Sequence, residues 1–214
     1  MLKNNVENHS VPRLILAATI AIGLLATTAA GATPTSFRFK GHHAEARFDS
    51  VNTDGSIRKV TSVSVIDGKS MGSEISGSVA VVSVLINASD VSTGNVLYSI
   101  SGFVTSLSPD QFTFDPQLRS ATLKLTVPAT ECFIGANINL NVDLVWTATS
   151  EPQVTRDMFH KIFPDGSRET IRDFGINRDA VASGTVTDGR ENFTPDTGAG
   201  LILEAKEGFF SIGK

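Results

Sequence analysis

Between Ala136 and Ala148 the chain keeps one rhythm: Ile138, Leu140, Val142, Leu144 and Trp146 fall on even positions, and Asn137, Asn139, Asn141, Asp143 and Thr147 fall between them. Only Val145 is out of phase. A period of two describes a strand with one dry face and one wet face. An isolated strand cannot offset the entropy lost when its backbone is fixed, so this segment needs a sheet to join.

Alternating or strand-like segments recur on both sides of it. Phe37 and Phe39 alternate with Arg38 and Lys40, then the parity changes at Gly41-His42-His43, and Ala44, Ala46 and Phe48 carry the pattern onward. One bulged strand or two short strands would produce that switch. Val60, Val63 and Val65 mark the next strand, which is expected to end in a turn at Asp67-Gly68. Residues 77–87 are apolar at both parities and predict a central strand buried on both faces. Tyr98, Ile100, Gly102 and Val104 alternate with Ser99, Ser101 and Thr105, and Ala121, Leu123, Leu125 and Val127 with Thr122, Lys124 and Thr126. Pro128 is expected to close that last strand.

From Arg156 to Arg178 charges of both signs interleave, and Val154, Met158, Phe159, Ile162 and Phe163 have helical spacing. Pro164-Asp165-Gly166-Ser167 interrupts it, which favours a charged hairpin over a helix. Ala180 to Val186 and Leu201 to Ala205 supply the last clear strands. About ten strands with turn signals between them predict an all-β, mainly antiparallel fold, a β-sandwich first and a closed β-barrel second.

The first 32 residues stand apart. Lys3 and Arg13 precede the apolar run Leu14 to Leu25, and Ala30-Gly31-Ala32 matches the small-residue pattern of a cleavage site, so residues 1–32 read as a signal peptide and 33–214 as one β-rich domain, secreted or periplasmic. The formal net charge of −4 becomes −5 once two cations and one anion leave with that segment. A mildly acidic surface without a basic cluster argues against nucleic acid as a partner. Outward positions rich in Asn, Ser, Thr and Lys, with one Trp and one Tyr, argue against a membrane-spanning barrel. Cys132 is the sole cysteine, which excludes an internal disulfide and is expected to be a buried, inert thiol.

Chemistry is harder to find. His42, His43 and Glu45 are the one cluster with metal-ligand character, yet neighbours on a strand point to opposite faces, so His42 and His43 could share an ion only across a bulge. Oxygen-rich loops at Asp90 to Asn95, Asp165 to Glu169 and Asp188 to Asn192 lack the spacing of a calcium loop and read as turns. No Gly-x-Ser-x-Gly or His-Glu-x-x-His occurs. The amide and carboxylate row Asn137, Asn139, Asn141 and Asp143 reads first as a solvated sheet face; if a ligand is bound, that row and the charged excursion from Arg156 to Arg178, with His160, are where a glycan or another extracytoplasmic protein is expected. The cofactor is left open. The leading functional expectation is a non-catalytic binding or interaction module. Its rivals are a secreted hydrolase built from His42, His43, His160, Glu45 and Asp143, and a surface or matrix component that assembles through an open sheet edge.

Two segments carry a resemblance. Arg178 to Val186, with Asp188-Gly189 and Asn192-Phe193-Thr194-Pro195, is similar to segments of small secreted bacterial β-rich proteins without an established activity, and Leu144 to Thr149 resembles a second such segment. That resemblance implies export and a β-rich fold, and it implies no chemistry.

Overall fold

The computed structural model describes residues 35–72 and 76–213, so the signal segment expected over residues 1–32 lies outside the described residues. Ten strands follow in order: β1 (Thr35–Val51), β2 (Ile57–Gly72), β3 (Gly77–Asp90), β4 (Val96–Val104), β5 (Phe112–Phe114), β6 (Ser120–Glu131), β7 (Asn137–Ala148), β8 (Gln153–Ile162), β9 (Arg168–Thr187) and β10 (Thr197–Gly213). Every pairing is antiparallel, and the ladder runs β10-β1-β2-β3-β4-β6-β7-β9-β8, with β5 on β6. The all-β, ten-strand antiparallel expectation holds. No helix among the described residues is long and apolar enough to cross a membrane.

Strand β9 is shared. Ala180 to Thr187 pair with β7, Arg168 to Asn177 pair with β8, and β10 runs along β9 from Arg168 to Ser183. The pairing of β9 with β10 therefore brings the first strand of the long ladder back against its penultimate strand, with β8 left at the end. The opposite seam is thin, because β4 meets β6 only at Ile100, Ser101 and Gly102.

The main core lies between the sheet halves. Phe48, Val63, Val84, Ile86, Leu123, Leu140, Leu144 and Trp146 are all buried in it. The Trp146 ring fills the space over Gly200, where an added Cβ would come within 2.8 Å of its Cδ1, and its Nε1–H donates to the Glu45 carbonyl at 2.6 Å. Small residues on β9 and β10, Ala180, Ala182 and Gly200, make room for that large ring. The core is built of packed apolar side chains from both sheet halves.

Several local expectations are corrected. β1 is one uninterrupted strand against β2; the irregularity lies in β10, where Lys206 and Glu207 are accommodated between Ala205 and Gly208. The parity change marks a change in which face is buried: Ala44, Ala46 and Phe48 enter the main core, whereas Phe39 and His43 are buried on the opposite face with Ile66, Ile171 and Leu203. Asp67-Gly68 is not a turn but mid-strand in β2, and a Cβ on Gly68 would meet the Lys40 carbonyl at 2.4 Å. Pro128 does not close β6 but sits within it opposite Asn139. β3 is central in the ladder, yet Leu85 is exposed, so its apolar character is not matched by burial on both faces. The helically spaced apolar residues from Val154 to Ile162 form the strand β8 of a hairpin with β9, as the turn at Asp165-Gly166 favours.

Candidate functional site

Strand β7 sends Leu140, Val142, Leu144 and Trp146 into the core and Asn137, Asn139, Asn141 and Asp143 to solvent. Register with β6 then divides the outer row. The Thr126 hydroxyl donates to Asn141 Oδ1 at 3.0 Å, the Thr130 hydroxyl to Asn137 Oδ1 at 3.4 Å, and Lys124 pairs with Asp143 at 2.9 Å. The last pair is well exposed and contributes little to stability. Asn139 stands opposite Pro128, whose ring has no hydrogen-bonding group, and its amide is unengaged by the described side chains.

At this place β4 parts from β6. Gly102 allows the brief contact, because a Cβ there would come within 2.7 Å of Ala129 Cβ and of the Pro128 carbonyl. Beyond it a shallow hollow of about 370 Å³ opens, walled by Ser101, Phe103, Pro128, Thr130, Asn137 and Asn139. Phe103 is 65% exposed and its ring forms one wall of this hollow. Sequence reasoning missed Phe103, although it breaks the alternation of β4 as a large apolar residue among outward serines.

The two adjacent histidines point to opposite faces of β1. His43 is buried, with Nε2 at 3.1 Å from both Ser64 Oγ and Glu45 Oε1, while its buried Nδ1 has no hydrogen-bond partner. His42 is half-buried and stacks on Phe114 with ring centroids 4.1 Å apart. Burial lowers its pKa, against the upward pull of the Glu204 and Asp67 carboxylates on either side in the ladder. His42, His43 and Glu45 therefore do not converge, and among the described residues no group of three His, Cys, Asp or Glu could hold a metal ion. His160 lies on β8, exposed, with Nδ1 3.0 Å from Thr170 Oγ1, and is not brought to the amide row.

A hollow of about 570 Å³ is lined by Glu45, Arg47, Ser64 and Asp179, while His43, which meets Glu45 and Ser64, stays buried behind them. A serine relay needs the base to face the hydroxyl with one nitrogen and the bracing acid with the other. Here Ser64 and Glu45 meet the same nitrogen, so the imidazole is not braced to take the serine proton. Asp143 is held by Lys124 on another part of the sheet.

The oxygen-rich loops are turns. Asp90 Oδ1 accepts from the Ser92 hydroxyl and from the Thr93 N–H and hydroxyl, which holds the carboxyl down at about 2. Cys132 is exposed, contrary to the buried thiol expected, because it falls in the turn after β6. The sole tyrosine, Tyr98, is pushed up to about 12 by burial and by the nearby Glu191 and Asp188 charges. Its folded pKa lies above the unfolded value near 10, so its contribution to stability is complete below about pH 10 and is lost as pH rises toward 12. Tyrosinate absorbance is expected to rise only near pH 12 in the folded chain; a midpoint near 10 with the fold intact would show that Tyr98 is solvated.

No family model matches the chain, and no curated protein matches it. A solved structure from Nitrosomonas europaea, provisionally named AttH, is similar at 10% identity and a TM-score of 0.37, covering 78% of this chain and 52% of that one. The chain thus spans about half the length of that protein, and so slight a likeness carries no argument about either fold or activity. The resemblance to small secreted bacterial proteins has no counterpart in these comparisons.

Proposed function

We propose that this chain is a non-catalytic binding module, acting after export, that takes a neutral glycan on the outer face formed by β4, β6 and β7. The observation that carries this reading is the exposed Phe103 ring beside the unengaged Asn139 amide in one open hollow. A sugar ring has an apolar C–H face that suits an aromatic surface, and hydroxyls that both donate and accept. Asparagine offers one acceptor and two donors, and Ser101 and Thr130 add hydroxyls at the rim. The rival hydrolase reading is weakened by the His43 geometry, in which acid and serine compete for one nitrogen.

A panel of immobilised neutral oligosaccharides is the test. Binding is expected to fall about tenfold or more in Phe103→Ala and in Asn139→Ala, equivalent to about 1.4 kcal/mol or more each. Because Phe103 is exposed, its removal should change stability by no more than about 0.5 kcal/mol, so lost binding will not reflect unfolding. A panel with no bound member, or binding indifferent to Phe103, contradicts the reading.

A further inference from the structure

Among the described residues strand β8 pairs with β9 alone, and none of them covers its far edge. At the hairpin turn the Phe163 N–H donates to the Ser167 carbonyl at 2.9 Å, and the Phe163 carbonyl accepts from Gly166 N–H at 3.0 Å. Phe163 thus turns both backbone groups toward β9. Antiparallel alternation makes Lys161, Phe159, Asp157 and Thr155 do the same, which leaves the N–H and C=O groups of Val154, Arg156, Met158, His160 and Ile162 directed at the open side. Side chains on this strand are unusually apolar for an edge: Val154, Met158 and Ile162 are each more than 60% exposed. Neither a proline nor a register shift interrupts β8, two of the devices that discourage edge pairing.

We propose that a second copy of this chain pairs with that edge, antiparallel, β8 against β8, about a two-fold axis at Phe159. Charge selects this register. An axis at Asp157 sets two aspartates against each other, whereas axes at Met158 and His160 place Asp157 or Lys161 opposite Phe159 and form no cross-strand ion pair. The axis at Phe159 puts Asp157 of each copy opposite Lys161 of the other and stacks Phe159 on its own counterpart, an aromatic pair at the closely spaced position. Within one copy Asp157 has Asp173 as its ladder neighbour and forms no ion pair among the described residues, and Lys161 rests over the Phe163 ring at 4.7 Å. The second copy supplies the missing opposite charge to both. Pairing leaves the Asn137 and Asn139 hollow uncovered, since β8 joins the half of β9 that lies beyond the Ala148 end of β7.

Sedimentation equilibrium over a range of concentrations tests this. The chain is expected to show a reversible monomer–dimer equilibrium. Asp157→Lys and Lys161→Asp, both at exposed positions, should each raise the dissociation constant about tenfold or more. An equimolar mixture of these two variants should associate again, because positions 157 and 161 then each face an opposite charge, and the Asp157→Lys/Lys161→Asp double variant should self-associate. Met158→Pro, which removes an outward N–H without touching the β9 ladder, should also be monomeric while keeping the circular dichroism of the parent. A chain that stays monomeric at the highest attainable concentration overturns the proposal. So does a dimer that ignores both single charge reversals.

Discussion

Replacing Trp146 with alanine is expected to lower the stability of the chain by about 3 to 5 kcal/mol. The ring is fully buried in the main core and is its largest side chain. Its loss empties the volume over Gly200 that the backbone of β10 was built close to accommodate, and a sheet tied through β9 and β10 cannot collapse freely into it. The Glu45 carbonyl also loses the Nε1–H donor that reaches it across the core. Denaturant unfolding followed by far-ultraviolet circular dichroism measures the effect. A loss below about 1 kcal/mol would mean that the ring is peripheral to the packing.

Gly184→Ala is the second large effect, about 3 to 5 kcal/mol from two sources acting together. Gly184 has φ of 120°, a conformation open to glycine and strained for any L side chain, and an added Cβ would lie 2.1 Å from the Asp143 carbonyl and 3.1 Å from Leu144 Cα. Backbone atoms cannot swing aside as a flexible side chain can, so β7 and β9 would have to separate along Asn141 to Ala148. Gly55→Ala is the control: its φ of 77° is also positive, but nothing lies within 4 Å of the new methyl, so about 1 kcal/mol is expected. Equal effects at the two glycines would show that conformation alone, and not the close approach of β7 to β9, governs Gly184.

Strands β6 and β7 were legible because one face is wet along their whole length, so parity in the chain is parity in space. β1 was ambiguous for a reason that lies in the sheet: its two ends bury opposite faces, and a single strand that changes its dry side looks like a break. Gly68 and Pro128 are turn formers by residue type, but their neighbours in the sheet hold both within strands. Gly68 is small to admit the backbone of β1, and Pro128 sits beside the short β4–β6 seam where the ladder is already giving way. β8 kept helical spacing by accident of its exposed residues, since an edge strand largely in water is under little pressure to alternate.

The candidate site was legible by half. Alternation placed Asn137, Asn139, Asn141 and Asp143 outside, but which amide is unengaged depends on register against Thr126, Thr130 and Pro128, and register is a property of two strands. The opposition of His42 and His43 followed from strand geometry alone, whereas the meeting of His43 with Ser64 required the pairing of β1 with β2. His160, grouped with the amides on residue type, belongs to the β8 hairpin and its open edge.

The proposed binding face lies outside the packed core, and Trp146, the sole tryptophan, reports on that core directly. Titrating the folded chain with a neutral quencher while recording tryptophan emission is the decisive measurement. Blue-shifted emission that resists quenching until the chain unfolds is the result expected of a filled core. Red-shifted emission, quenched as readily before unfolding as after it, would mean that solvent reaches the space between the sheet halves and that the interior could itself hold a ligand.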